Sequence, residues 1–432
     1  LSIVFRIAGA EEYRRGRIPA YSAAVDDYFG RFADEDAVTM VRKLRDQYGI
    51  SHDAVVKLAV HLEAGPGLQE AVPLDQVTTL GNRWRVNAAR AFLDELREFS
   101  KASQFDEFFE QWQELFSVTA QRLQAQLGTA DLAWLDEYFG EPSKSLRVVP
   151  GMLTGRTSYG ATVEMRSGKD RYAIVGVEAV DESGRPRFER VVVESVVHEL
   201  CHSYLRPVLE TNFESLRDSA TALYLLQRPR MEAQAYRSGY TVMNETLTRA
   251  CTNRYLQAKG LPEEVESDFA YNRSRGFLWI EDVTRQLEEF ERHRERYPTF
   301  ADFAPELIRF FDSLTRDLPQ TVEELNARRP RIAKLIPPNG ATDVDPSLEA
   351  IEVTFDQTMR TGTWSVVGGG PRYPKTGTPS YDADGKVFRL PVELEPEQDY
   401  ELWLNRGPHR SFASEEGIPL DPVHVSFRTG AF

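Results

Sequence analysis

The residues with the clearest chemical potential lie in Val191 to Tyr204, which reads VVVESVVHELCHSY. Within it, His198-Glu199-Leu200-Cys201-His202 is an H-E-x-x-H match. On a helix, residues four apart stack one turn above each other on the same face, so the spacing predicts two imidazoles aimed at one point. Glu199 follows the first imidazole, where its carboxylate reaches a water held by the same metal. Two nitrogen ligands, a third protein ligand from elsewhere and an open position for water make the zinc-hydrolase arrangement. A buried amphipathic helix whose histidines hydrogen-bond within a core would carry the same five letters. The flanks favour the metal. Ser195 to Tyr204 contains no proline, its residues outside the motif are uncharged, and the Val-rich approach predicts burial of the other helix faces.

A metzincin continues with Gly three residues after the second histidine and His three further on. Leu205 and Val208 occupy those places, which excludes that class. The remaining downstream histidines are His293, His409 and His424, the last two in a different domain by composition. A carboxylate is the expected third ligand, as in zinc peptidases with two histidines and one glutamate. Glu210, Glu214, Glu232 and Glu245 are the near candidates. Glu210 and Glu214 read as solvated charges in a polar turn after Pro207, and Glu232 as a first-turn helix acid after Pro229. Glu245 is the only acid in the helical run Tyr240 to Ala250. A carboxylate isolated in an apolar helix needs a partner, and a metal supplies one. The expected metal set is therefore His198, His202 and Glu245, with zinc as the ion and Glu199 as general base.

A chain of 432 residues suggests two or three domains, and an apolar fraction of 41% supplies packed cores. The net charge is -15 with acids spread throughout and no basic cluster, which predicts no nucleic-acid partner. No apolar run approaches the ~20 residues that span a bilayer. The two cysteines, Cys201 and Cys251, read as small buried hydrophobes; a disulfide between the two site helices is the alternative. The sequence opens in mid-pattern as LSIVFRIAGA, with Arg6 inside the apolar stretch and no basic leader. It reads as the first element of a trimmed chain, with any compartment signal lying outside it.

The elements that must position the site follow from periodicity. Residues 1–144 are helical. Asp34 is the expected cap of a helix through Val38, Val41, Leu44 and Tyr48 that stops at Gly49, and Ser51 that of a second helix through Val55 and Leu58. Longer helices are expected over Val86 to Phe99 and Phe105 to Leu127, with Phe105, Phe108, Phe109, Trp112 and Phe116 in the core, and a short one over Ala130 to Phe139. His52 and His61 read as surface or capping residues. Between Ser145 and Arg190 the period changes to two, giving strands at Leu146 to Val149, Ala161 to Met165 and Tyr172 to Val180. Tyr159-Gly160-Ala161 is the candidate edge against which an extended peptide would pair across the metal. The site helix is expected over about 188–206 and the third-ligand helix over about 240–259, with a break near Gly239. Further helices are expected at Gly276 to Arg292 and Phe303 to Leu314. In one unbroken helix from Met231 to Lys259, Tyr236 would point away from Glu245. From Arg328 the composition turns to Pro, Gly and short alternating strands such as Ala350 to Phe355, a separate all-β unit of about 100 residues, the size of an immunoglobulin-like sandwich.

Two resemblances follow. Ile336-Pro-Pro-Asn-Gly-Ala-Thr-Asp-Val-Asp-Pro346 with Ile351-Glu-Val-Thr-Phe-Asp-Gln-Thr-Met359 resembles the bacterial Ig-like domain of S-layer and cell-surface proteins. The first 330 residues resemble a bacterial domain-of-unknown-function family with an H-E-x-x-H motif. That likeness is carried by Ile18-Pro-Ala-Tyr21, the His198 segment, Asn244-Glu-Thr-Leu-Thr-Arg-Ala250 and Tyr297-Pro-Thr-Phe300. Around the metal the chain is also similar to gluzincin peptidases, whose third ligand comes from a downstream Asn-Glu pair, here Asn244-Glu245. Where many gluzincins carry an Asp that braces a zinc-bound histidine, this chain has Arg249.

The expected fold is multidomain: a mainly α region (1–144), a zincin-like α+β core (145–329) and an all-β Ig-like sandwich (330–432). The resemblance implies a zinc metallopeptidase acting on peptide or protein substrates, secreted, periplasmic or on the cell surface, with a possible envelope partner through its tail. Tyr236, Tyr240 and Arg249 are the candidates for an oxyanion donor. The alternative is a non-catalytic cell-surface scaffold that keeps a metal for stability.

Overall fold

A computed structural model describes residues 1–431 except 64, 66, 82, 129, 317–326, 407, 408, 410 and 416–418. The chain forms two compact units. One comprises Leu1–Arg206, Thr248–Ser267 and Leu287–Phe300, the other Pro207–Leu247, Asp268–Gln286 and Ala301–Phe432. No helix among the described residues is long and apolar enough to cross a membrane.

The first unit begins with helices α1 (Ser2–Ile7), α2 (Glu11–Arg14), α3 (Pro19–Phe29), α4 (Asp36–Tyr48) and α5 (Asp53–Val60). They continue as α6 (Val86–Ala102), α7 (Phe105–Gln111), α8 (Gln113–Leu127) and α9 (Ala133–Phe139). In α6 the buried side chains are Ala89, Phe92, Leu93, Leu96 and Phe99, the 3-4 spacing of one helix face. Helix α4 stops at Gly49, whose left-handed φ of 62° lets its own N–H bond the Arg45 carbonyl and the Ile50 N–H bond that of Leu44. Its first residue is preceded by Glu35 rather than Asp34, and α5 by His52 rather than Ser51, neither with a side-chain cap. The expected single helix from Phe105 breaks at Trp112, and only Phe108 of its aromatics is fully buried. Phe109 is 40% exposed and stacks on Phe105 and Phe116 at the surface. His61 is not a surface residue. It is buried, with Nδ1 2.6 Å from the Lys57 carbonyl and Nε2 2.9 Å from Thr79 Oγ1.

Strands β1 (Ser145–Gly151), β2 (Tyr159–Met165) and β3 (Gly168–Gly176) form a sheet in the order β1-β3-β2, with β1 parallel and β2 antiparallel to β3. A short ribbon of β4 (Ala179–Val180) and β5 (Pro186–Arg187) follows. Side chains alternate across the sheet. Tyr159, Ala161 and Ile174 pack with Val56 of α5 on one face. Gly160 lies on the other, against helix α10 (Val191–Leu226). A Cβ on Gly160 would stand 2.3 Å from the Glu199 carbonyl oxygen, so glycine sets how closely the edge strand meets this helix.

Helix α10 passes through Pro207 instead of ending there, and Glu210 and Glu214 are exposed helical residues, not members of a turn. An interior proline costs roughly 3 kcal/mol. Leu209, Phe213, Leu216, Ala220 and Leu223 continue a buried stripe beyond it. At about 1.5–3 kcal/mol for each large apolar side chain, that burial outweighs the lost hydrogen bond.

Helix α11 (Arg228–Glu232) of the second unit leads into α12 (Gly239–Ala258), which from Thr248 onwards belongs to the first unit. Ser238 Oγ caps α12 by accepting from the Thr241 N–H at 3.2 Å. Gly239 packs directly on α10, since a Cβ there would lie 2.7 Å from the Ala220 carbonyl carbon. Helices α13 (Pro262–Ser274), α14 (Ile280–Arg292) and α15 (Phe300–Arg316) follow, the first not anticipated from sequence.

The remaining strands are β6 (Ile332–Ile336), β7 (Ala341–Val344), β8 (Ala350–Phe355), β9 (Val366–Val367), β10 (Lys375–Thr376) and β11 (Ser380–Tyr381). Strands β12 (Val387–Glu393), β13 (Asp399–Leu404) and β14 (Val423–Thr429) complete the set. One sheet runs β10-β12-β8-β6 with β11 also on β12, and another β7-β14-β13-β9. Alternate residues bury in period two, including Ile351, Val353 and Phe355 of β8 and Tyr400, Leu402 and Leu404 of β13. Both sheets contribute to one apolar core.

The Gly160 packing is testable. Gly160→Ala should lower unfolding free energy by about 1–3 kcal/mol, the usual range for overpacking. Gly30→Ala, where a Cβ meets nothing within 4 Å, should lower nothing. Urea midpoints that do not differ between the two variants would refute the close contact of β2 with α10.

Candidate metal centre

The first turns of α10 bury Val192, Val196, Val197, Leu200, Cys201, Tyr204 and Leu205. This leaves His198, Glu199 and His202 half-buried along the remaining face. The two imidazoles meet edge to face, with centroids 4.8 Å apart. On α12 the fully buried Thr248 places Oγ1 3.0 Å from His202 Nδ1. That contact occupies Nδ1, as the second contact of a metal-binding imidazole usually does.

Glu245 lies one turn before Thr248 on α12. Tyr236 Oη donates to Glu245 Oε2 at 3.2 Å. The unbroken helix that would turn Tyr236 away does not form. The chain leaves α11 at Ala233, passes a left-handed φ of 65° at Ala235 and re-enters helix at Gly239, which brings Tyr236 back towards Glu245.

One ligand atom from each of His198, His202 and Glu245 lies within 4.8 Å of the others. Among the described residues no other three His, Cys, Asp or Glu side chains gather in this way. A tetrahedral ion with bonds of about 2.0–2.2 Å holds its ligand atoms roughly 3.4 Å apart, so closure on an ion asks for about an ångström of side-chain movement. Two imidazoles and a carboxylate are a borderline-soft donor set that fits zinc.

Glu232 has other partners. It accepts from Tyr224 Oη at 2.7 Å, Arg228 Nε at 3.0 Å and Arg360 Nη2 at 3.0 Å. Cys201 and Cys251 are free thiols. Burial pushes both thiols up, so they stay protonated and unreactive. Thr248 is the residue that sequence reasoning missed. Its signal was present, because it stands three residues after Glu245 and therefore on the same face. The side chain that meets His202 Nδ1 is the Thr248 hydroxyl, one position before Arg249.

Thr248→Val removes the hydroxyl while keeping the shape of the side chain. Zinc affinity, measured by chelator competition, should fall roughly 10- to 100-fold, the usual effect of losing such a partner. The melting temperature of the metal-free protein should change little. Unaltered zinc affinity would show that Thr248 does not orient His202.

No curated protein matches the chain. Two solved structures resemble it at 10% identity and a TM-score of 0.18: surface layer protein SbsC, domains 1-6, and the S-layer protein rSbsC(31-844). Each alignment covers 92% of this chain and 46% of the other, so the chain spans less than half the length of those proteins. A TM-score this low does not establish a common fold. Residues 18–310 match the model of the family described as Domain of unknown function (DUF4932), and the chain belongs to that family.

Proposed function

We propose that the protein is a zinc-dependent peptidase with His198, His202 and Glu245 as metal ligands and Glu199 as general base. The observation that carries this reading is the approach of those three ligand atoms to within 4.8 Å of one another, beside a glutamate that the ligand set does not use. A zinc ion bound there would polarise the scissile carbonyl and lower the pKa of the attacking water. Glu199 takes the proton from that water and passes it to the leaving amine. Tyr236, whose single hydroxyl proton would turn from Glu245 to the oxyanion once a metal engages that carboxylate, is the favoured donor, ahead of Tyr240 and Arg249. Among the described residues strand β2 pairs with β3 on one side only, and its Gly160 lies against Glu199. An extended peptide added to that edge would pass the base, so peptide is the favoured substrate class.

The carboxy-terminal strands favour the Ig-like reading. The segment from β6 to β7 changes sheets, β6 pairing with β8 and β7 running parallel to β14. A secreted, periplasmic or cell-surface location is proposed on that resemblance. Recovery of the native protein in the cytosolic fraction of its cells would count against it. A non-catalytic metal scaffold is the second reading, favoured by the neutral hydroxyl that braces His202 where a carboxylate would make the ligand more basic.

Elemental analysis should find about one zinc per chain. Glu245→Gln should weaken zinc binding, because an amide is a poorer ligand, while Glu232→Gln should not. Glu199→Gln should retain zinc and lose about 10²–10⁴-fold in rate on unfolded protein or mixed peptides, the range for a general base. Parent and Glu199→Gln showing equal activity at equal zinc loading would sink the peptidase reading and leave the scaffold.

A further inference from the structure

The second unit contains a cavity of about 230 Å³ lined by three arginines: Arg217 of α10, Arg237 just before α12 and Arg360 after β8. Among the described residues no carboxylate lines it. Two of the guanidinium groups are held in place by acids that stay outside. Arg217 donates from Nε to Asp218 at 3.0 Å and pairs through Nη1 with Asp421 at 3.2 Å. Arg360 donates from Nη2 to Glu232 at 3.0 Å and from Nη1 to the Arg237 carbonyl at 3.3 Å. A guanidinium has five N–H groups, so these contacts leave donors over on both. Arg237 is exposed, and its side chain has no partner among the described residues.

We propose that this cavity binds a phosphate group, either as the free ion or as a monoester. Three like charges facing one space repel each other, and an anion between them turns that repulsion into attraction. A carboxylate offers two oxygens, which one guanidinium fork satisfies. A phosphate group carries about -1.5 to -2 charges and at least three strong acceptor oxygens, which matches three forks. Hydroxyl groups add to the donors. Ser238 Oγ and Thr241 Oγ1 lie 3.0 Å apart and both residues line the cavity. That pair has two protons and one mutual contact, so one proton is left to donate to an anion.

The volume is nearly eight times the ~30 Å³ share of a water. A phosphate ion alone fills only part of it, which leaves room for a carrier as small as glycerol. Phe213 and Tyr240 meet edge to face at 5.0 Å and supply an apolar wall against which carbon would lie. The proposal is independent of the peptidase reading.

Calorimetry on the full chain at fixed ionic strength would compare sodium phosphate, glycerol 3-phosphate, glycerol and sodium acetate. Both phosphate compounds should bind at millimolar concentration or below, and glycerol and acetate should not. Tighter binding of glycerol 3-phosphate would identify the monoester as the ligand, and equal or weaker binding the free ion. Arg237→Gln should weaken phosphate binding roughly 10- to 100-fold, as expected for losing a charge-assisted hydrogen bond. Its unfolding midpoint without phosphate should match that of the parent, because the side chain has no partner to lose. Arg360→Gln should weaken phosphate binding in the same way. Arg285→Gln makes the same change of charge on α14 and should leave the affinity unaltered. Phosphate held by zinc instead of by the arginines would be indifferent to Arg237→Gln, and that result overturns the proposal. No saturable binding of either phosphate compound overturns it too, and acetate binding as well as phosphate would mark an adventitious ion only.

Discussion

The arrangement around His198 depends on one steric limit. At Gly160 there is no space for a single carbon between the edge strand and the backbone of Glu199. The helix is thereby held against the sheet at the residue that follows the first histidine. Both histidines then share a face fixed by helical geometry, and the outer strand β2 meets the helix at Glu199.

Burial accounts for the rest of the site's rigidity. The apolar residues of α10 around the motif and of α12 around Glu245 are almost all inaccessible to solvent. Polar groups in such surroundings need partners, and they find them in one another. Thr248 engages His202 and Tyr236 engages Glu245. Just beyond His202, Tyr204 stacks on Phe139 at 4.5 Å and hydrogen-bonds Asp136 at 2.5 Å, while the buried Arg171 lies 3.8 Å over its ring. These contacts tie the site helix to α9 and β3 and limit its freedom to rotate.

The neutral brace on His202 bears on the proposed chemistry. A carboxylate at that position would make the imidazole a stronger donor, whereas a hydroxyl fixes its orientation with less effect on its basicity. The orientation is therefore secured here by packing and by the Thr248 hydroxyl.

Sequence alone determined the local chemistry. The four-residue spacing of His198 and His202 follows from helix periodicity. The isolation of Glu245 in an apolar run singled it out, and period-two burial after residue 330 announced strands. Such signals are legible because they depend on a residue's nearest neighbours along the chain. Tertiary structure decided what depends on distant partners. It carried α10 through Pro207, since the buried stripe from Leu209 to Leu223 exists only once other helices cover it. It also turned Tyr236 back to Glu245 through the left-handed residue at Ala235, buried His61 against Thr79, and brought Thr248 to a histidine 46 residues away. The close meeting of Gly160 with Glu199 belongs with these, because a glycine in a strand reads as a weak point until the backbone it admits is known.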